Sequence, residues 1–194
     1  MQIPLKNIVD SYIKKYQADE LRELEFFCRE ESFIKALENA ALAVDCAGKR
    51  QKHQRRLQRT TLQKGRNALL SVRKRIQHAK DFCELHNIIR DAISPIKGLG
   101  ELYVYDTALR IGAHLNLWPS QVYLHSGTRQ GARALGYIGA GPLQVSELHK
   151  ELQRLPAHQI EDVLCIYKSF FQKNVSLTKP KVICRELHES KGCT

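Results

Sequence analysis

The sequence predicts an all-α fold, a single compact bundle of eight to ten mostly short helices. Three observations lead there. Apolar residues recur at three- and four-residue spacings along most of the chain. Ser, Asp or Pro stands in front of several of these runs, and Gly or Pro behind them. The stretches with strand character, "QVYL" at 121–124 and "KVIC" at 181–184, are too short to carry a sheet.

The elements follow in order. From Pro4 to about Tyr16 a helix is expected, with Leu5, Ile8, Val9, Tyr12 and Ile13 on one side. Asp19 can cap a second, "ELRELEFFCRE", and Ser32 a third that turns Phe33, Ile34, Leu37, Ala41 and Leu42 inward. Gly48 ends or interrupts that helix. Residues 46–60 hold one large apolar residue, Leu57, and read as a solvated basic arm or loop. From Thr60 the stripe Leu62, Ala68, Leu69, Val72, Ile76 and Ala79 predicts a helix. "DFCELHNIIRDAI" predicts another, stopped by Pro95. A Gly-Leu-Gly turn leads into a helix from about Glu101 to Leu117, ended by Trp118-Pro119. A short helix is then expected over 119–124, another from the Ser-Gly-Thr turn to Gly136, and one capped by Ser146. Pro156 opens the last strong helix, with Ile160, Val163, Leu164, Tyr167, Phe170 and Phe171 inward.

The chain has 194 residues, enough for one domain with a core, expected over 1–172 and followed by a polar tail over 173–194. No apolar run approaches the ~20 residues that cross a bilayer, so no membrane partner is expected. The first residues carry early charges and no apolar leader core, which predicts a cytoplasmic protein. In "CRELHESKGC", Cys184, His188 and Cys193 lie close together. Without a second ligand pair they read as an ordinary tail, and no metal or cofactor is expected.

Charge is the strongest functional signal. From Cys46 to Lys80 there are twelve Lys/Arg and no Asp or Glu. The net charges of 1–45, 46–80 and 81–194 are −3, +12 and +2. A merely solvated face would mix signs, so this segment points to a polyanion. Lys49, Arg50, Lys52, His53, Arg55, Arg56, Arg59, Arg73 and Lys74 are its candidate phosphate contacts. A second anion site is expected in "YLHSGTRQGAR", where Arg129 and Arg133 follow His125, Ser126 and Thr128; helix capping by Ser126 or Thr128 explains the hydroxyls equally well. In "IEDVLCIYK", Glu161 and Asp162 read as first-turn acids and Cys165 as a packed side chain.

The segment "SPIKGLGELYVYDTALRIG" adds the sharpest motif. Ile88, Ile89 and Ile93 precede Gly98-Leu99-Gly100, and Leu102, Val104 and Ala108 follow. Glycines there let backbone amides approach a phosphate at the positive end of a helix, and Lys97 could reach the same group. Over about 25 of 194 residues this resembles the helix-hairpin-helix DNA-binding motif. Glu101 departs from it, because a carboxylate competes for those amides. Helix-hairpin-helix DNA glycosylases carry an aspartate in a Val-Asp-Thr context, and the resemblance makes Asp106 a candidate catalytic residue. The spacing from the hairpin is shorter here, and no lysine stands just after it. Asp106 and Arg110 at i, i+4 also make an ordinary helix-surface ion pair.

Four stretches between residues 48 and 168 ("KRQKHQRR", "GLGELYVYDTALRIG", "VYLHSGTRQGARALG" and "IEDVLCIYK") together resemble a group of bacterial proteins without assigned function. That resemblance implies a bacterial cytoplasmic protein and brings no activity. The expected function is DNA binding through phosphates, with little sequence specificity. The alternatives are a nucleic-acid-processing enzyme using Asp106, with Arg110 or His125 assisting, and a non-catalytic module that binds protein or RNA.

Overall fold

The computed structural model describes residues 4–139, 141–174 and 181–182, and its fold is all-α, 66% helical. Cys184, His188 and Cys193 lie outside the described residues. In chain order the helices are α1 (Leu5–Tyr12), α2 (Ala18–Cys28), α3 (Phe33–Ala41), α4 (Arg59–Ser71), α5 (Arg73–Gln77), α6 (Phe82–Ile93), α7 (Glu101–Leu115), α8 (Ser126–Ala134), α9 (Ala157–Ile166) and α10 (Lys168–Asn174). Four two-residue strands, β1 (Gln121–Val122), β2 (Tyr137–Ile138), β3 (Leu143–Gln144) and β4 (Lys181–Val182), pair as β1 with β3 and β2 with β4. Among the described residues no helix is long and apolar enough to cross a membrane.

The chain divides into two compact units, Asp19–Trp118, and Met1–Ala18 together with Pro119–Thr194. One boundary falls at the expected Trp118-Pro119 stop. The other leaves no trace in composition, because a π-helical turn at Ile13–Gln17 joins α1 to α2 and puts Asp19 in a first turn rather than at a cap.

In the unit Asp19–Trp118 the apolar stripes do most of the positioning. Leu62, Leu69 and Ile76 recur at seven-residue intervals and are fully buried, although the helix that carries them breaks at Val72 into α4 and α5. Asp81 caps α6, its Oδ1 accepting from the Glu84 amide at 2.8 Å. Phe82, Leu85, Ile88, Ile89 and Ile93 all face the core as the spacing predicts. Ser32 caps α3 as expected, accepting from the Lys35 amide at 3.3 Å. Ile34 does not turn inward. It is 40% exposed, because Ala36, Leu37 and Ala40 carry the buried arc of α3. Asn116, in the left-handed conformation, ends α7 two residues before Trp118.

The expected solvated arm is docked. Val44 and Arg50 form a β-bridge, Lys52–Gln54 make one 3-10 turn, and Gln51 and Gln54 are buried.

The other unit is built around Val9, Tyr12, Val122, Leu152, Ile160, Val163, Leu164 and Phe171, all fully buried. Two helix expectations fail here. Residues 121–122 are β1, and the run after Ser146 forms only the 3-10 turns Val145–Glu147 and Leu152–Arg154. In both places the apolar spacing covers too few residues to offset the cost of nucleating a helix.

Two histidines, one in each unit, are held neutral. Burial pushes His158 down to about 4; burial and then the Arg90 charge push His86 down to about 4. In the unfolded chain both take a proton near the ordinary value of about 6.5. The unfolded state therefore binds more protons between about pH 6.5 and 4, and each histidine lowers stability by up to ~1.4 kcal/mol per pH unit in that window. Denaturant midpoints should fall from pH 7 to pH 4.5, and the fall should be shallower in His158→Gln and His86→Gln. Equal slopes in wild type and both variants would contradict this.

Candidate nucleic-acid interface and a buried His-Glu-Cys cluster

The hairpin between α6 and α7 is two linked turns. The Ile96 amide donates to the Ile93 carbonyl at 2.8 Å and the Leu99 amide to the Ile96 carbonyl at 3.2 Å. Gly98 sits at φ +98, a conformation that a side chain strongly disfavours. Leu99 is buried and anchors the loop, whereas Lys97, Gly98, Gly100 and Glu101 are exposed. Gly100 is the N-cap of the 15-residue α7, and having no side chain it cannot occupy the first-turn amides itself. A methyl group built on Gly100 would meet nothing within 4 Å.

The acid-free segment runs directly beside this hairpin. A Cβ on Gly98 would lie 3.6 Å from Thr61 Cγ2, and one on Gly65 would lie 2.9 Å from Leu99 Cδ1. The first two turns of α4 therefore pack on the Gly-Leu-Gly loop, with exposed Arg59 at their start. Exposed Lys64, three residues after Thr61, lies on the same side. Lys64 is not among the contacts that the sequence singles out. Its signal was the spacing to Thr61, which means nothing until α4 is known to meet the hairpin.

The other expected contacts divide by unit. Lys49, His53, Arg55, Arg56, Arg73 and Lys74 are exposed in the unit that holds the hairpin. Arg50 is half-buried and donates to the Leu57 carbonyl at 3.2 Å; Lys52 lies in the 3-10 turn. Arg66, also in the acid-free segment, is held by Glu38. Arg129 and Arg133 lie on α8 in the other unit, and Arg129 donates to the Leu124 carbonyl at 2.6 Å.

Asp106 sits in a network rather than on an open surface. Its Oδ2 accepts from Gln54 Nε2 at 2.9 Å and lies 3.8 Å from Arg110 Nη2. Arg110 is buried and also reaches Gln54 Oε1 at 3.0 Å and Glu23 Oε1 at 3.1 Å. The expected ion pair is present, but it is an interior one. It ties the docked basic segment to α7 and α2.

A second cluster lies where α8 meets α9. His125, not Ser126 or Thr128, caps α8, its Nδ1 accepting from the Gly127 amide at 3.2 Å. Its Nε2 contacts Thr128 Oγ1 at 2.8 Å and Glu161 Oε1 more closely still. Thr128 donates to the same carboxylate. Glu161 lies beyond the first turn of α9 and is buried, 4% exposed, while its neighbour Asp162 accepts from the Tyr12 hydroxyl at 3.1 Å. Cys165, one turn further along α9, completes the group, and one donor atom each from His125, Glu161 and Cys165 lie within 4.8 Å of one another. Burial pulls the His125 pKa down. The hydrogen bonds and charges of Cys165 and Glu161 outweigh it and push the ring up to about 10. The Gly127 amide works against that protonation, since a protonated Nδ1 no longer accepts from it.

Two glycines on α8 make this approach possible. A Cβ on Gly127 would stand 2.8 Å from Cys165 Sγ, and one on Gly131 would stand 2.0 Å from the Leu164 carbonyl oxygen. Glu161 and Cys165 share a helix face at i, i+4, a spacing visible in sequence. The facing histidine, 36 residues earlier, was not visible. No known protein family, curated protein or solved structure matches the chain.

Proposed function

We propose that this protein binds DNA through its phosphate backbone, using the unit Asp19–Trp118. The observation that carries the reading is the packing of Gly98 against Thr61, which puts a glycine hairpin, an uncapped helix start and the acid-free basic segment side by side. Backbone amides at the start of α7 favour an anion, and Lys97, Arg59 and Lys64 add charge around it. The exposed Arg55 and Arg56 extend the contact along the duplex. These groups recognise phosphate and not base edges, so affinity is salt-dependent and largely indifferent to sequence.

Fluorescence anisotropy with a labelled duplex, repeated across salt concentrations, tests the reading. Wild type should bind at low salt, with an affinity that falls steeply as salt rises. The double variant Arg55→Ala, Arg56→Ala should reduce the logarithmic salt slope by about 1–2, at ~0.9 per phosphate contact. Gly100→Val should weaken binding about tenfold or more while the protein stays folded, with a melting temperature lowered by no more than a few degrees, because the open space it fills is where a phosphate must approach. Wild type without affinity for duplex or single-stranded DNA at low salt would overturn the proposal. Binding to RNA alone would redirect it to the interaction-module alternative.

A further inference from the structure

The sequence reading expects no metal, yet the cluster between α8 and α9 has the composition of a metal site. Nitrogen, carboxylate oxygen and sulfur donors converge from a helix cap and one face of a second helix. We propose that His125, Glu161 and Cys165 bind a divalent transition metal of the zinc class. The site is unrelated to the hairpin and does not depend on the DNA-binding reading.

The first argument is chemical. An imidazole, a carboxylate and a thiolate together suit a borderline-soft ion such as zinc, and suit magnesium or calcium poorly. The second is electrostatic. Glu161 is 4% exposed and meets the His125 imidazole and the Thr128 hydroxyl. A buried carboxylate needs compensating positive charge. A dication bound between the three donors balances that carboxylate together with the Cys165 thiolate. The third is geometric. Donors around a tetrahedral zinc stand roughly 3.3–3.8 Å apart, and these three already lie within 4.8 Å. Opening the direct His125–Glu161 contact is the main adjustment required. Thr128, fully buried and donating to Glu161, is placed to orient the carboxylate from behind, as outer partners do at metal sites. Three protein donors leave a fourth position for water or a substrate oxygen.

The test uses the full chain, freed of metal by a chelator and titrated with cobalt(II) and zinc(II). Wild type should take up one cobalt with a thiolate-to-cobalt charge-transfer band, and zinc should displace it. Cys165→Ser should abolish the charge-transfer band, and Glu161→Gln should weaken binding at least tenfold. Cys28→Ser and Cys46→Ser should leave both unchanged. If Cys165→Ser fails to fold, the wild-type melting temperature still decides: it should rise with zinc and return with chelator. No uptake by wild type at micromolar metal, no thermal shift, or a band that survives Cys165→Ser would overturn the proposal.

Discussion

Gly131→Ala is expected to destabilise the protein by about 3 kcal/mol or more. Helix propensity alone predicts the opposite sign, a gain of up to ~1 kcal/mol for replacing a helical glycine. Geometry decides against it. The new methyl would stand 2.0 Å from the Leu164 carbonyl oxygen and 2.7 Å from its carbonyl carbon. Both are main-chain atoms in the interior of α9 and cannot rotate away, so α8 and α9 must separate. Leu164 is fully buried, and separation opens a void around it. At about 2–4 °C per kcal/mol for a chain of this size, thermal unfolding should begin roughly 6–12 °C lower. Gly100→Ala is the control: its methyl meets nothing, and a loss of only a few tenths of a kcal/mol is expected. An unchanged melting temperature in Gly131→Ala would mean that α8 and α9 are not this close.

Arg110→Met is expected to cost about 2–4 kcal/mol. The guanidinium reaches Asp106, Glu23 and Gln54 at once, and its side chain is 7% exposed. Removing it leaves two carboxylates facing one another with no cation between them. Their partial exposure, 31% for Glu23 and 17% for Asp106, lets water relieve some of that repulsion, which keeps the figure below the fully buried limit. Asp106→Asn should be milder, about 1 kcal/mol, since an amide oxygen still accepts from Gln54. The two variants also address chemistry. Asp106 is held by Gln54 and Arg110, and on the proposed reading Asp106→Asn should leave any DNA affinity, and any turnover of damaged or undamaged DNA, as in wild type. A product made by wild type and lost in a folded Asp106→Asn protein would restore the catalytic alternative.

Helices long enough to repeat their apolar face were legible in the sequence. The α6 stripe, the Ser32 cap and the Pro156 start lie where periodicity and capping chemistry put them. Short segments were not: β1 and the 3-10 turns around Leu148 carry too few residues for a period to declare itself. Of the candidate interface, the hairpin and its charge could be read locally. The packing of α4 on Leu99 could not, since it depends on Gly65 leaving room for a residue 34 positions later. The burial of Glu161 is hidden in the sequence for a related reason. A first-turn acid has a sufficient local explanation in the helix dipole, and that explanation hid a long-range partner. The interior placement of Arg110 was likewise invisible, because Gln54 looked like part of a solvated arm.

The discontinuous unit, Met1–Ala18 with Pro119–Thr194, fixes an order of events during synthesis. The inner unit is one uninterrupted stretch and can complete its core as soon as Trp118 is free of the ribosome. The amino-terminal helix cannot. Val9 and Tyr12 pack in a core whose other members begin at Val122, and the Tyr12 hydroxyl waits for Asp162, 150 residues downstream. At ~5–20 residues per second that delay is on the order of ten seconds. For that interval the apolar side of α1, with Ile8, Val9 and Tyr12, precedes the residues that bury it in the finished fold.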